Sequence, residues 1–178
     1  MSIACCRRMQ TNYPEHMETF SYLGRYRYSL TFCTDRRKPF FTDAGNVELV
    51  VSQLLRSAAD QRFDVIAYCF MPDHLHVIAI GTADDADLKA FVKRAKQFSG
   101  FYFKQKTGQR LWQRYGYEHV IRNDESTQQA VRYVLENPLR QGLAKSVGDY
   151  PFIGSSRYSR EELIEYIRID VEEGAGFV

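Results

Sequence analysis

Apolar and polar positions along this chain switch between two periods, and the switches mark its elements. From Arg27 to Thr34 the apolar residues Tyr28, Leu30 and Phe32 alternate with smaller or polar ones, which predicts a strand with one buried face. Val47, Val50, Val51, Leu54, Leu55 and Ala58 then recur at three- and four-residue spacing, the stripe of an amphipathic helix begun near Asn46. Two runs rich in branched and aromatic residues follow, around Val65–Met71 and His74–Gly81. Met71-Pro72-Asp73 between them has the chemistry of a tight turn, so the pair predicts a hairpin. A second helix runs from about Asp85 to Lys104, with Leu88, Phe91, Val92, Ala95 and Tyr102 expected toward the core. Glu118 to Arg122 reads as a further strand. A last helix lies within Gln128–Pro138; Asp124, Ser126 or Thr127 can cap its start, and Pro138 forbids an ordinary continuation.

That order, β-α-β-β-α-β, predicts an α+β fold: a ferredoxin-like sheet with helices on one face, plus a C-terminal helix that carries Tyr133. The same fold serves RNA-recognition modules, so the arrangement alone leaves function open. A chain of 178 residues suits one domain with tails. We expect a mixed, polar N-terminal tail over 1–18, the domain over 19–156 and an acidic C-terminal tail over 157–178. No apolar stretch is long enough to span a bilayer, and the N-terminus lacks the apolar segment of a secretory signal. The expectation is a cytoplasmic protein with no membrane partner. Cys5, Cys6, Cys33 and Cys69 fall at no metal-ligand spacing. Cys33 and Cys69 lie within apolar strands and read as buried thiols of a reducing compartment.

The residues with the most chemistry are His74-Leu75-His76. On a strand, side chains at i and i+2 leave the same face about 6–7 Å apart, so the two imidazoles stand together while Leu75 turns into the core. Two imidazoles are half of a metal site, although a His-x-His pair taken alone is as well explained by hydrogen-bonded core histidines. The best candidates to complete it lie on the last helix. There Gln129, Tyr133 and Asn137, spaced i, i+4 and i+8, form a polar stripe beside an apolar one of Ala130, Val131, Val134 and Leu135. The plainer readings are an amphipathic tyrosine at the core boundary and a helix-terminal asparagine before proline.

Three separated segments, in order and at matching spacing, carry a more specific message. Met71-Pro72-Asp73-His74-Leu75-His76, the stretch Leu111-Trp112-Gln113-Arg114-Tyr115-Gly116-Tyr117-Glu118-His119-Val120-Ile121-Arg122-Asn123, and Tyr133-Val134-Leu135-Glu136-Asn137-Pro138-Leu139-Arg140-Gln141-Gly142-Leu143 resemble the REP-associated tyrosine transposases. These are single-tyrosine HUH transposases of the insertion-sequence-200 type. Asp149-Tyr150-Pro151-Phe152 with Ser155-Ser156 extends the resemblance, which runs from about Tyr22 to Ser156. It implies a metal-dependent endonuclease and strand transferase that cleaves single-stranded DNA near hairpins through a 5′-phosphotyrosine. By that resemblance His74 and His76 are divalent-metal ligands and Tyr133 is the nucleophile. Asn137, four residues on, supplies a third, carboxamide ligand where many mobile relatives carry the longer glutamine. Oxygen and imidazole donors suit Mg2+ or Mn2+, and the absence of paired cysteines argues against structural zinc. The implied partner is single-stranded DNA with REP-like palindromic hairpins, in a nucleoid-associated protein. Both a monomer and a homodimer that exchanges the tyrosine helix stay open.

Charge supports a nucleic-acid substrate only when read locally. The net charge of +2 and a pI near 8.3 decide little. From Lys89 to Arg114, however, eight residues are basic and none is acidic, while Glu161, Glu162, Glu165, Asp170, Glu172 and Glu173 make the end of the chain acidic. Lys93, Lys96, Lys104 and Arg114, with Arg36, Arg37 and Arg122, are expected to grip a DNA backbone, and Tyr115 and Tyr117 to stack on bases. Two other classes compete. One is a host-adopted DNA- or RNA-hairpin-binding protein on the same fold with weak or lost chemistry. The other is a rolling-circle replication or mobilisation nickase, which fits less well because Trp112–Asn123 follows the transposase pattern.

Overall fold

The structure, a computed structural model, describes residues 22–114, 117–121 (backbone alone at 117–119) and 126–168. The expected N-terminal tail, Tyr115, Arg122, the Tyr117 side chain and residues 169–178 lie outside the described residues. The elements in chain order are β1 (Arg27–Cys33), α1 (Ala44–Asp60), β2 (Phe63–Met71), β3 (His74–Gly81), α2 (Leu88–Thr107), β4 (Tyr117–Ile121), α3 (Thr127–Leu135), α4 (Asn137–Arg140), β5 (Ile153–Gly154) and α5 (Arg160–Tyr166). All strand pairings are antiparallel, in the order β4-β1-β3-β2-β5. The first four strands and two helices therefore make the ferredoxin-like unit, and β5 extends it beside β2.

Alternation along the strands divides the core in two. Tyr28, Leu30 and Phe32 of β1, Phe70 of β2, and Leu75, Val77 and Ala79 of β3 meet Val47, Val50 and Leu54 of α1 and Leu88, Phe91 and Phe103 of α2. The opposite face of the same strands carries Ala67, Cys69, Met71 and Ile78, which pack against Val131, Val134 and Leu135 of α3 and Leu163 of α5. The tyrosine-bearing helix thus covers the face that α1 and α2 leave open, and it is the face to which His74 and His76 belong by strand parity.

Capping follows from ordinary side chains. Asp43, Asp87 and Ser126 accept the third backbone N–H of α1, α2 and α3. Pro138 does not end the helical path at the tyrosine helix. It stands in the first turn of α4, where its missing N–H costs nothing, so the chain bends at Glu136 and turns once more.

Three expectations are corrected. Tyr102 does not join the core stripe of α2, being 40% exposed. The stripe is Leu88, Phe91, Ala95, Ser99 and Phe103. A buried serine occupies it because Ser99 Oγ accepts from the Trp112 indole N–H at 2.8 Å. Cys33 is half-buried, and Arg37 Nη1 donates to its sulfur at 2.9 Å. Residues 157–168, read as the start of an acidic tail, pack on the second face: Ser159 and Glu162 form a capping box, and Leu163 and Ile167 are buried.

Candidate active site

The site is built where β1, β3 and the β2–β3 turn end together. In register, Thr31 lies opposite His76 and Cys33 opposite His74 on β1, while Cys69 and Met71 flank the same two histidines from β2. The turn is held from outside. Thr34 donates through both its N–H and its hydroxyl to the Asp73 carbonyl, at 3.0 and 2.9 Å, and the Phe41 N–H donates to the Pro72 carbonyl at 2.9 Å. Thr34 is fully buried, so these bonds are made away from water and order the turn strongly.

His74 Nε2 and His76 Nε2 face each other at 3.0 Å. Each ring is fixed from behind: His74 Nδ1 donates to Asp73 Oδ1 at 2.7 Å, and His76 Nδ1 pairs with Thr31 Oγ1 at 3.0 Å. With Nδ1 engaged, the Nε2 lone pairs are left to converge, which is the outer-partner arrangement of metal-binding histidines. An octahedral ion with donors at about 2.0–2.1 Å sets adjacent donors roughly 3 Å apart, so the observed spacing fits such an ion. His76 is pushed down to about 3, first by burial and then by the charges of His74, Arg37 and Arg140, so its ring is neutral and able to ligate near pH 7. Among the described residues, no third His, Cys, Asp or Glu joins the pair. The carboxamide of Asn137, expected as a further ligand, belongs to another donor type.

Asp73 and Arg37 form a support that the sequence pattern did not single out. Arg37 Nε pairs with Asp73 Oδ2 at 2.7 Å. Burial acts to raise the Asp73 carboxyl, but its hydrogen bond and electrostatic attraction to His74 and the charge of Arg37 prevail and hold it below its ordinary value. Arg36 and Arg37 both carry positive φ, 54° and 58°, a conformation that costs non-glycine residues on the order of 1–2 kcal/mol each. The turn tolerates this because Thr34 pins it, and the result aims Arg37 back at Asp73. Arg37 is therefore committed to the histidine support, while Arg36 is exposed beside it.

Tyr133 is 47% exposed on α3, whose buried side packs on β2 and β3. Arg27 of β1 donates to Thr127 Oγ1 at 2.6 Å, and Gln128 and Arg132 donate to the Tyr166 and Ile167 carbonyls of α5's C-terminal end, so the helix is tied at both flanks. The Arg140 guanidinium lies 4.1 Å from the Tyr133 ring centroid, donates to the Tyr133 carbonyl and pairs with Glu136 at 3.3 Å. Its positive charge also acts on His76 and Cys69. Asn137 is 8% exposed, and its Nδ2 donates to the Tyr133 and Val134 carbonyls at 3.0 and 3.3 Å. That bond pattern caps α3 through Nδ2 and does not use Oδ1. The structure brings His74 and His76 into contact; it leaves Tyr133 exposed on α3 and Asn137 buried at the start of α4, bonded to the Tyr133 carbonyl.

A basic groove of about 460 Å³ is lined by Lys96, Gln97, Gly100 and Lys104 of α2 and by Arg110 to Arg114. Its wall is stitched to β1 next to the position paired with His74: Thr34 bridges Trp112, and the Gln113 N–H donates to the Cys33 carbonyl at 3.0 Å. Lys96 Nζ closes the corner by donating to the Gln113 carbonyl at 3.0 Å. Lys93 is exposed one turn earlier on the same helical stripe. Of the expected DNA contacts, Lys96, Lys104 and Arg114 share this groove, Lys93 continues its line, and Arg37 is drawn away to Asp73.

Residues 22–137 match the family described as "Transposase IS200 like". A Haemophilus influenzae protein assigned to the REP-associated tyrosine transposases is 29% identical over 157 residues, spanning 79% of this chain and 84% of that protein. The REP-associated tyrosine transposase of Escherichia coli K12 is 31% identical over 106 residues, 56% of this chain and 62% of its own length. The solved structure of a REP-associated tyrosine transposase bound to a REP hairpin shares the fold, with a TM-score of 0.63 at 24% identity over 75% of this chain and 79% of that one. No helix among the described residues is long and apolar enough to cross a membrane. With the family match covering both the histidine pair and the tyrosine helix, this chain belongs to the IS200-like transposases.

Proposed function

We propose that this transposase is a divalent-metal-dependent endonuclease and strand transferase that acts on single-stranded DNA beside REP-like hairpins. The observation that carries the proposal is the facing pair of Nε2 atoms, held from behind by Asp73 and Thr31 on the sheet face that α3 covers. His74, His76 and Asn137 would hold Mg2+ or Mn2+. Such an ion polarises a non-bridging phosphate oxygen and offsets the charge that builds up in the transition state. Tyr133 Oη attacks the phosphorus, the bond to the 3′-oxygen breaks, and the products are a 5′-phosphotyrosine and a free 3′-hydroxyl. One phosphodiester replaces another and one proton passes from phenol to 3′-oxygen, so the link can be reversed or passed to a second strand. Arg140, stacked on the ring and bonded to the Tyr133 carbonyl, restricts the path of the phenol. The groove beside the site receives the phosphates of the strand.

A single-stranded oligonucleotide carrying a hairpin, incubated with the protein and Mn2+, should give a denaturation-resistant protein–DNA adduct and a fragment ending in a 3′-hydroxyl. Binding without any adduct would replace this reading with that of a hairpin-binding protein that has lost its chemistry.

The groove makes a separate prediction. Neutralising Lys93, Lys96 and Lys104 together should weaken binding to all single strands alike. The slope of log affinity against log salt should shrink by up to about 0.7 per lost phosphate contact. Preference for a hairpin over an unstructured strand should survive, because it is expected to come from the hairpin's shape and from base contacts near Tyr115 and Tyr117, not from these cations. An unchanged slope would show that this face is merely solvated.

A further inference from the structure

We propose that Phe101, with Tyr102 set against it, is a stacking platform for one unpaired nucleobase on the rim of the basic groove. The proposal rests on the single-strand reading above and adds a contact that grips a base rather than a phosphate. Phe101 is 56% exposed, more than any other large hydrophobic side chain among the described residues. It lies one turn beyond Gln97 and one turn before Lys104 on α2, and both of those residues line the groove. Side chains so spaced share a helix surface, so the phenyl ring borders the cations. The Phe101 and Tyr102 rings meet edge to face, with centroids 5.3 Å apart and planes at 76°, which limits rotation of either.

Charge complementarity selects the occupant. The adjoining groove presents Lys96, Lys104, Arg110 and Arg114. A single strand answers both parts of this surface at once, phosphates to the cations and the flat face of a base to the ring. A second copy of the chain would bring a like-charged groove toward its own, which opposes self-association there. A duplex offers no free base face, since its bases are already stacked on one another.

The test uses the full-length protein and fluorescence anisotropy with a labelled, unstructured mixed-sequence oligonucleotide and with the duplex of the same sequence. Phe101→Ala should weaken single-strand binding by about 5- to 150-fold, the range expected for losing one base stack. Phe101→Trp should restore it. The salt slope should stay at the wild-type value, because no ionic contact is removed, and duplex affinity should not change. Equal single-strand affinity for wild type and Phe101→Ala would overturn the platform while leaving the nuclease reading intact, as would an equal loss on single strand and duplex. A dimer in sedimentation that Phe101→Ala abolishes, with DNA affinity unaltered, would assign the patch to self-association instead. Failure of the wild-type protein to bind any single strand would overturn the single-strand reading itself, a result visible before any substitution is made.

Discussion

Tyr133→Phe is expected to eliminate both the covalent adduct and strand cleavage while leaving single-strand affinity and folding essentially unchanged. The side chain is half in solvent, and its ring lies against the Arg140 guanidinium. Phenylalanine preserves that stack, worth roughly 0.5–1 kcal/mol at an exposed site, and leaves the buried side of α3, Val131, Val134 and Leu135, untouched. Only the hydroxyl oxygen, the proposed nucleophile, is lost, and no other group on the helix can form a phosphotyrosine. Adduct formation on hairpin DNA with Mn2+, measured beside anisotropy binding to the same strand, separates the two effects. An adduct that persists in the phenylalanine protein would sink the assignment and direct the search to another side chain.

The strands were legible because their alternation is strong. Tyr28, Leu30 and Phe32 point one way while Thr31 and Cys33 point the other, and the structure keeps that parity from end to end. Helix boundaries were legible through their caps, although the first helix starts at Ala44 rather than near Asn46, because Asp43 caps it. What misled was composition. A serine in the buried stripe of α2 hid Phe103 behind Tyr102, since a lone sequence does not show that Trp112 will satisfy Ser99. The acidic count after residue 160 likewise hid the i, i+4 pair Leu163 and Ile167, which folds that segment back onto the sheet.

The site was legible in part. His-x-His on a strand puts two imidazoles on one face whatever follows, whereas of the expected Gln129–Tyr133–Asn137 stripe only Gln129 and Tyr133 stay exposed on α3, Asn137 being buried past the bend at Glu136. The supports were not legible, because they depend on register and on loop geometry. Thr31 reaches His76 only because β1 pairs with β3 at that position. Arg37 reaches Asp73 only through two consecutive positive-φ residues, and in the sequence it reads as one more free cation in Arg36-Arg37-Lys38. Arg140 carried a hint, since a cation seven residues after Tyr133 lies two turns along the same side of a helix. The bend at Glu136 leaves it stacked on the tyrosine.

The second large effect concerns the ion. His74→Ala and His76→Ala should each abolish Mn2+ binding in calorimetric titration together with divalent-dependent cleavage, because each removes one of two converging Nε2 donors. Asp73→Asn keeps both donors but weakens the hold on His74 Nδ1, and should lower Mn2+ affinity by about 10- to 100-fold, the usual cost of an outer partner. Asn137 plays two parts that the same titration can divide. Its Nδ2 caps α3, so Asn137→Ala should cost about 0.5–1.5 kcal/mol of stability for each hydrogen bond lost, whatever the metal does. If Oδ1 also ligates, Asn137→Ala should weaken Mn2+ binding as well, and Asn137→Gln, with a longer reach to the ion, should be tolerated better. A fall in melting temperature with unaltered Mn2+ affinity would reduce Asn137 to a cap. Full activity of all three alanine variants would place the metal elsewhere in the molecule.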